Sequence, residues 1–488
     1  MAATAIEGAL HPEHQITTLT TGSASGAPGV RVVTERVPSV RSVALGFWIG
    51  TGSAAEGESQ AGISHLLEHM LFRGTERYGS EEIDQIFDAM GAEINAGTDK
   101  EATSLYTRVL DRHLEHAFEV MSDMVFRPRF GELEAEREVV LEEIAMYEDD
   151  PQDRVFDVLG EAIFGSHPLG RAVIGRAEVI QAATREQLIA FHSERYVPEG
   201  IVIAAAGSVD HDALLELARP LAAACAPAAE EGAAPEESPG ADGATSANGS
   251  SSPAAGRSPV GAGTAPPDFA RRVRFLEKDT EQYHLCLGGA GLARDDERRF
   301  ALRVLEGVLG GTSSSRLFQE VRERRGLAYS VFSFANLYAR TGEVGLYVGT
   351  RPENLTQALS VIAAELERCV EDPASAEELT RSRENLKGRV VLSMESTAAR
   401  MGHLGASVLN GLPILSVDEL IERIDAVGIG ELRGLAGELF TPRRLSIAGV
   451  GRDEDAFRAA IEPLNGVVSG GGDARDDAPE QLTARDAR

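Results

Sequence analysis

The sequence predicts an α+β chain built from two tandem homologous halves. Three observations predict this. Short β-branched runs alternate with longer segments of helical period. Two patterns in the first half recur in the second: Tyr196-x-Pro198-x-x-x-x-Ile203-Ala204-x-x-Gly207 returns as Phe440-x-Pro442-x-x-x-x-Ile447-Ala448-x-x-Gly451, and Leu105-Tyr106 followed by Leu114 returns as Leu346-Tyr347 followed by Leu355. Their near-equal offsets argue for an internal duplication. Finally, residues 226–268 are Ala, Pro, Gly, Ser and Glu with almost no large apolar side chain, a composition that cannot offset its own ordering entropy. The expected layout is a loose lead-in over 1–27, a first half over 28–225, a flexible linker over 226–268, a second half over 269–468 and a flexible tail over 469–488.

In chain order, residues 30–37 and 43–50 read as strands joined at Pro38-Ser39. A polar, Gly- and Ser-rich loop over 52–62 then delivers the chain into a helix around His65, with Ser64 as a candidate cap. A second helix is expected near 80–90, with Ser80 as its cap and two glutamates in its first turn. Residues 93–109 read as a strand pair turning at Gly97-Thr98-Asp99. Helices follow at 114–125, ended by Pro128, and at 132–148, stopping before Pro151. A helix near 185–191 leads to Pro198 and the apolar strand at 201–206.

Length and composition limit the function. A chain of 488 residues exceeds one ordinary core. The formal net charge of −30 argues against nucleic acid, which needs a basic surface. Cys225, Cys286 and Cys369 show no paired spacing, so a reducing compartment is expected and a cysteine-based zinc site is not. With no signal or transit pattern near the N-terminus and no apolar run of membrane-spanning length, the expected location is cytoplasmic and no membrane partner is expected.

The chemistry gathers in His65-Leu-Leu-Glu68-His69. On a helix, residues i and i+4 share a face, so His65 and His69 can ligate one Zn²⁺ while Glu68 reaches the metal-activated water. Catalytic zinc sites commonly take three protein ligands. The following helix offers Glu136, Glu138, Glu142 and Glu143, and spacing alone does not choose among them. His113 and His116 form a rival pair, but among charged residues on a helix that reads as solvated. The region of the second half that corresponds to His65, residues 306–310, has no histidine, so one zinc per chain is expected.

His-x-x-Glu-His is the order of the inverted zincins. GISHLLEHMLFRGT, GAEINAGTDKEATSLY, EREVVLEEI, HPLGRAVIG and GGTSSSRLFQEVRERRGLAYSV, in that order, resemble the pitrilysin/insulin-degrading-enzyme superfamily, peptidase family M16. The likeness is to its short branch, which includes the mitochondrial processing peptidase and bacterial relatives. The resemblance implies two αβ-roll halves, mostly antiparallel sheets covered by helices, in a clamshell-type dimer. It implies a zinc metalloendopeptidase acting on extended, unstructured peptides or presequence-like segments. It makes His65, His69 and Glu143 the ligands, Glu68 the general base and Glu136 the carboxylate that supports them. It implies Asn95 and Ala96 as the edge receiving the substrate backbone, and Arg322 and Tyr329 as the pair gripping the substrate from a partner subunit, identical or paralogous. The 226–268 linker is longer than the family pattern.

Overall fold

The computed structural model describes residues 14–20, 28–224 and 266–465. The expected linker lies outside them apart from 266–268, and the expected tail and Cys225 lie wholly outside.

Each half is a mixed sheet with helices on its faces. The first has strand order β1-β2-β6-β3-β5-β4: β1 (His14–Thr20), β2 (Pro28–Arg36), β3 (Ser42–Ile49), β4 (Ile94–Thr98), β5 (Thr103–Leu110) and β6 (Ile201–Gly207). The second has order β7-β11-β8-β10-β9: β7 (Val273–Glu277), β8 (Tyr283–Gly291), β9 (Ala328–Leu337), β10 (Gly342–Thr350) and β11 (Ser446–Gly451). Without β1, the first order reproduces the second. The single parallel pair falls at equivalent places, β2 with β6 and β7 with β11. The duplication read from two short sequence patterns is thus a duplication of topology.

Two strand expectations need correction, and one helix boundary has a second role. His14–Thr20, placed in a loose lead-in, is an edge strand antiparallel to β2, where His211 bridges Thr17 and Thr34 with its two ring nitrogens at 2.9 and 2.8 Å. The β4–β5 turn is not at 97–99. Thr98 still pairs with Thr103, and the turn closes where the Asp99 N–H donates to the Ala102 carbonyl at 2.7 Å. Pro151 does not simply end a helix. Leu133–Asp149 stops there, but Asp150 caps a new helix, Pro151–Phe164, with proline in the first turn, where its missing N–H costs nothing.

That helix shapes the molecule. Val155, Leu159 and Ile163 pack on Cys286, Tyr347, Ala448 and Val450, the face of the second sheet turned away from its own half's helices. In return, Met401, Leu404 and Val408 of helix Thr397–Leu409 cover Val33, Ala44, Val202, Ala204 and Ala206 on the first sheet. Alternation along the strands supplies both faces: Val43, Leu45 and Ile203 turn to the first half's own core and Ala44, Val202 and Ala204 to the borrowed helix. The halves therefore exchange helices. Trp48, the only tryptophan, sits at this seam with its indole N–H on Met401 Sδ at 3.4 Å. A Cβ at Gly405 would lie 2.2 Å from the indole nitrogen. Gly405→Ala is therefore expected to destabilise the protein by about 1–3 kcal/mol, the usual cost of overpacking. Thermal unfolding followed by Trp48 emission measures it, and the emission of the folded variant should shift.

Candidate metal centre

Helix Ile63–Met70 buries Ile63, Leu66, Leu67 and Met70 in the first half's core. This apolar backing leaves His65, Glu68 and His69 on the opposite side. Ser64 does not cap the helix. The capping position is Gly62, at φ 99°, without a side-chain hydrogen bond of its own. Its place is taken by the Glu56 carboxylate, which accepts the N–H of Gly62 at 2.9 Å and of Ser64 at 2.8 Å.

Helix Leu133–Asp149 crosses the histidines. Of its four candidate carboxylates, Glu138 and Glu142 are exposed, while Glu136 and Glu143 turn to the histidine pair. Glu143 Oε2 lies 3.7 Å from His65 Nε2 and 3.4 Å from His69 Nε2. One donor atom from each of the three residues falls within 4.8 Å of the others, and no other such group occurs among the described residues. His113 and His116 are not part of it. Two imidazoles and a carboxylate are a donor set suited to zinc, and the atoms that converge are His65 Nε2, His69 Nε2 and Glu143 Oε2. Buried Glu136 takes the Nδ1–H of His69 at 2.7 Å, leaving Nε2 turned to Glu143, and Arg73 holds the other Glu136 oxygen. Metal-binding histidines commonly carry this kind of outer carboxylate.

Electrostatics separate these groups. Burial, reinforced by the neighbouring His69, lowers His65 to about 4, so it is neutral. Burial also pulls His69 down, but the Glu136 hydrogen bond and the charges of Glu136, Glu143 and Glu68 outweigh it and raise the pKa. Burial raises Glu68 against the hydrogen bonds it receives from Thr98. Glu136 is lowered, because its bonds to His69 and Arg73 overcome its burial.

His65, Glu68 and Glu143 open into a cavity of about 910 Å³ between the two halves of the chain. The ends of edge strands β4 (Gly97, Thr98) and β9 (Ala335–Leu337) both border it. Its carboxylates are Glu68, Asp99, Glu101, Glu143, Asp153, Asp157 and Glu343, against Lys100, Arg294 and Arg303. Across the seam, Glu101 accepts Arg294 Nη2 at 2.7 Å and the N–H of Ala339 at 2.9 Å. Trp48, Lys100, Arg294, Tyr338 and Glu343 line the cavity and were not singled out by the sequence, because strand and helix patterns carry no signal for contacts between halves.

The other expected residues stand apart from the cluster. Asn95 and Ala96 lie on edge strand β4, Asn95 exposed, but do not line the cavity. Arg322 stacks 4.7 Å from the Tyr329 ring and 4.7 Å from Phe318. Tyr329 is 77% exposed, and neither it nor Arg322 borders the cavity holding His65.

Comparison with known proteins follows the same division. Residues 31–177 match the family model described as insulinase, peptidase family M16, and residues 182–386 match that described as the peptidase M16 inactive domain. A protein of Streptomyces coelicolor named as a zinc protease is 40% identical over 91% of this chain and 93% of its own length. Similarly named proteins of Mycobacterium tuberculosis and Bacillus subtilis are 40% and 39% identical, each over 85% of this chain and over 90% and 94% of their own lengths. Two solved structures share the fold: a peptidase M16 inactive domain from Pseudomonas fluorescens (TM-score 0.75, 23% identity, 90% of this chain and 98% of that one) and a protease from Helicobacter pylori (TM-score 0.76, 20% identity, 90% and 99%). With both halves matched in order and full-length relatives at this identity, the chain belongs to peptidase family M16.

Proposed function

We propose that the protein is a zinc endopeptidase that cleaves extended, unstructured peptides, with His65, His69 and Glu143 holding one zinc and Glu68 as general base. The observation that carries this is the convergence of three ligand atoms within 4.8 Å beside a cavity that Glu68 also lines. Relatives named as zinc proteases support the metal. Zinc held by this set supplies Lewis acidity at the peptide carbonyl and acidifies the attacking water.

The chain's own groups do the rest. Glu68, oriented by Thr98, takes a proton from the attacking water and returns it to the leaving amine. Glu136 keeps the His69 proton on Nδ1, so Nε2 remains a donor. The free edge of β4, carrying Asn95 and Ala96, accepts a peptide as an added strand through main-chain hydrogen bonds, which requires an extended substrate and tolerates many sequences. The excess of carboxylates around the cavity favours cationic, presequence-like peptides. Arg322 and Tyr329, stacked on each other and facing outward, serve the site of a second subunit, either another copy or a paralogous chain, where they hold the substrate backbone near the scissile bond.

The test is metal analysis with activity. The purified protein is expected to bind one zinc per chain, to lose hydrolysis of an unstructured peptide on chelation, and to regain it on adding zinc. A protein without zinc would instead be a non-catalytic scaffold or partner subunit, the alternative within this family.

A further inference from the structure

We propose that Glu56 is a positioning residue of the metal centre, holding His65 in place through the backbone at the start of its helix. This rests on the zinc site proposed above.

The two histidines are secured differently. His69 has an outer carboxylate on its Nδ1, Glu136. His65 does not: its Nδ1 is buried and has no hydrogen-bond partner. Nothing polar grips the His65 ring from behind, so its position is set by the backbone that carries it. That backbone is a helix of only eight residues, too short to be stable by itself. Its first turn is held by Glu56, whose two carboxylate oxygens take the N–H groups of Gly62 and Ser64, the latter next to His65.

Glu56 is itself anchored. It is 4% exposed, and its own carbonyl accepts Arg171 Nη2 at 2.6 Å. Arg171 lies in the HPLGRAVIG segment, and its carbonyl in turn receives Lys100 at the β4–β5 turn. The same segment presses on the helix start. A Cβ at Gly175 would come 2.3 Å from Gly62 Cα, and one at Gly62 would come 2.7 Å from the Ile174 carbonyl. Arg171 thus ties the entrance of the metal helix to the hairpin bearing the substrate edge.

A simple cap does not require this arrangement. Ser, Thr, Asn or Asp at the capping position satisfies a helix start without a deeply buried charge. Burial pushes the Glu56 carboxyl up to about 7 against the pull of its two N–H donors, so its ionised form is a burden on stability at neutral pH. What the long buried side chain adds is a fixed distance between the 3₁₀ turn Ser53–Ala55 before it and the turn that carries His65.

The test uses the full-length protein and Glu56→Gln, which keeps the shape but turns one acceptor into a donor facing an N–H. Zinc affinity is measured by competition with a chromogenic chelator, and ligand geometry by the visible absorption of the cobalt(II)-substituted protein. The expected result is a zinc dissociation constant raised by about 10-fold or more, as for loss of other outer-sphere partners. The cobalt bands should shift, and kcat should fall with KM little changed. Wild-type zinc affinity together with an unshifted cobalt spectrum would overturn the proposal, even with a lowered melting temperature. Should Glu56→Gln fail to fold, Arg171→Met releases the Glu56 main chain while leaving the carboxylate and its two N–H donors in place. A rise in the zinc dissociation constant and a band shift are expected there too, and their absence overturns the proposal. A wild-type protein that binds no zinc would instead overturn the zinc reading on which this depends.

Discussion

Glu68→Gln is expected to lower peptide hydrolysis by about 10²–10⁴-fold while zinc content stays at the wild-type level. Glu68 is one helical turn from His65 and borders the same cavity, but it is not one of the three converging donors. The amide keeps the size of the carboxylate and one acceptor for Thr98, so the helix and its ligands should be undisturbed. Proton transfer is what it cannot perform. Burial keeps the Glu68 pKa above that of an ordinary glutamate, which suits a group that must accept a proton and pass it on. The measurement is kcat for an unstructured peptide beside metal content on the same sample. Near-normal turnover with zinc retained would remove Glu68 from the mechanism.

Mixing two inactive variants is expected to restore activity. If the second subunit is another copy of this chain, each site combines His65, Glu68, His69 and Glu143 of one copy with Arg322 and Tyr329 of the other. Loss of an oxyanion or backbone donor typically costs about 10²–10³-fold, so Arg322→Ala combined with Tyr329→Phe should be nearly inactive, as should Glu68→Gln. In a mixed dimer one of the two sites has every group intact. Random exchange of equal amounts of a two-fold symmetric dimer should then recover roughly a quarter of the wild-type rate. If the mixture shows only the sum of the separate rates, each chain is self-sufficient or the partner is a different chain. The geometry motivating this experiment is that Tyr329 and Arg322 stack at 4.7 Å outside the cavity of their own chain.

How much of this was legible depends on the range of the interaction. The His65–His69 pair was readable because i,i+4 spacing on a helix fixes a shared face. Glu143 was not readable from spacing, since its helix carries six glutamates, four of them candidates; the family resemblance selected it, and the geometry brings it to the histidines. Pro151 marks the end of one helix, as expected, but it also starts the next, and only the Asp150 cap shows that second role. The β4–β5 turn was misplaced because Gly97 signals a turn locally, whereas the pairing of Thr98 with Thr103 is decided across strands. Glu56 carried no signal, because its partners are main-chain N–H groups exposed by the left-handed conformation of Gly62. Arg294 and Tyr338 enter the cavity only through the packing of one half on the other.

The exchange of helices also sets a schedule for synthesis. The first sheet is complete once Gly207 has been made, but the helix that covers Ala44, Val202 and Ala204 begins at Thr397. At a translation rate of about 5–20 residues per second, that apolar face stays uncovered on the ribosome for roughly 10–40 s. Its small side chains, three alanines among five buried positions, present little grip to other nascent chains during that wait. The first half therefore completes its packing only after residues 397–409 of the second half have been made.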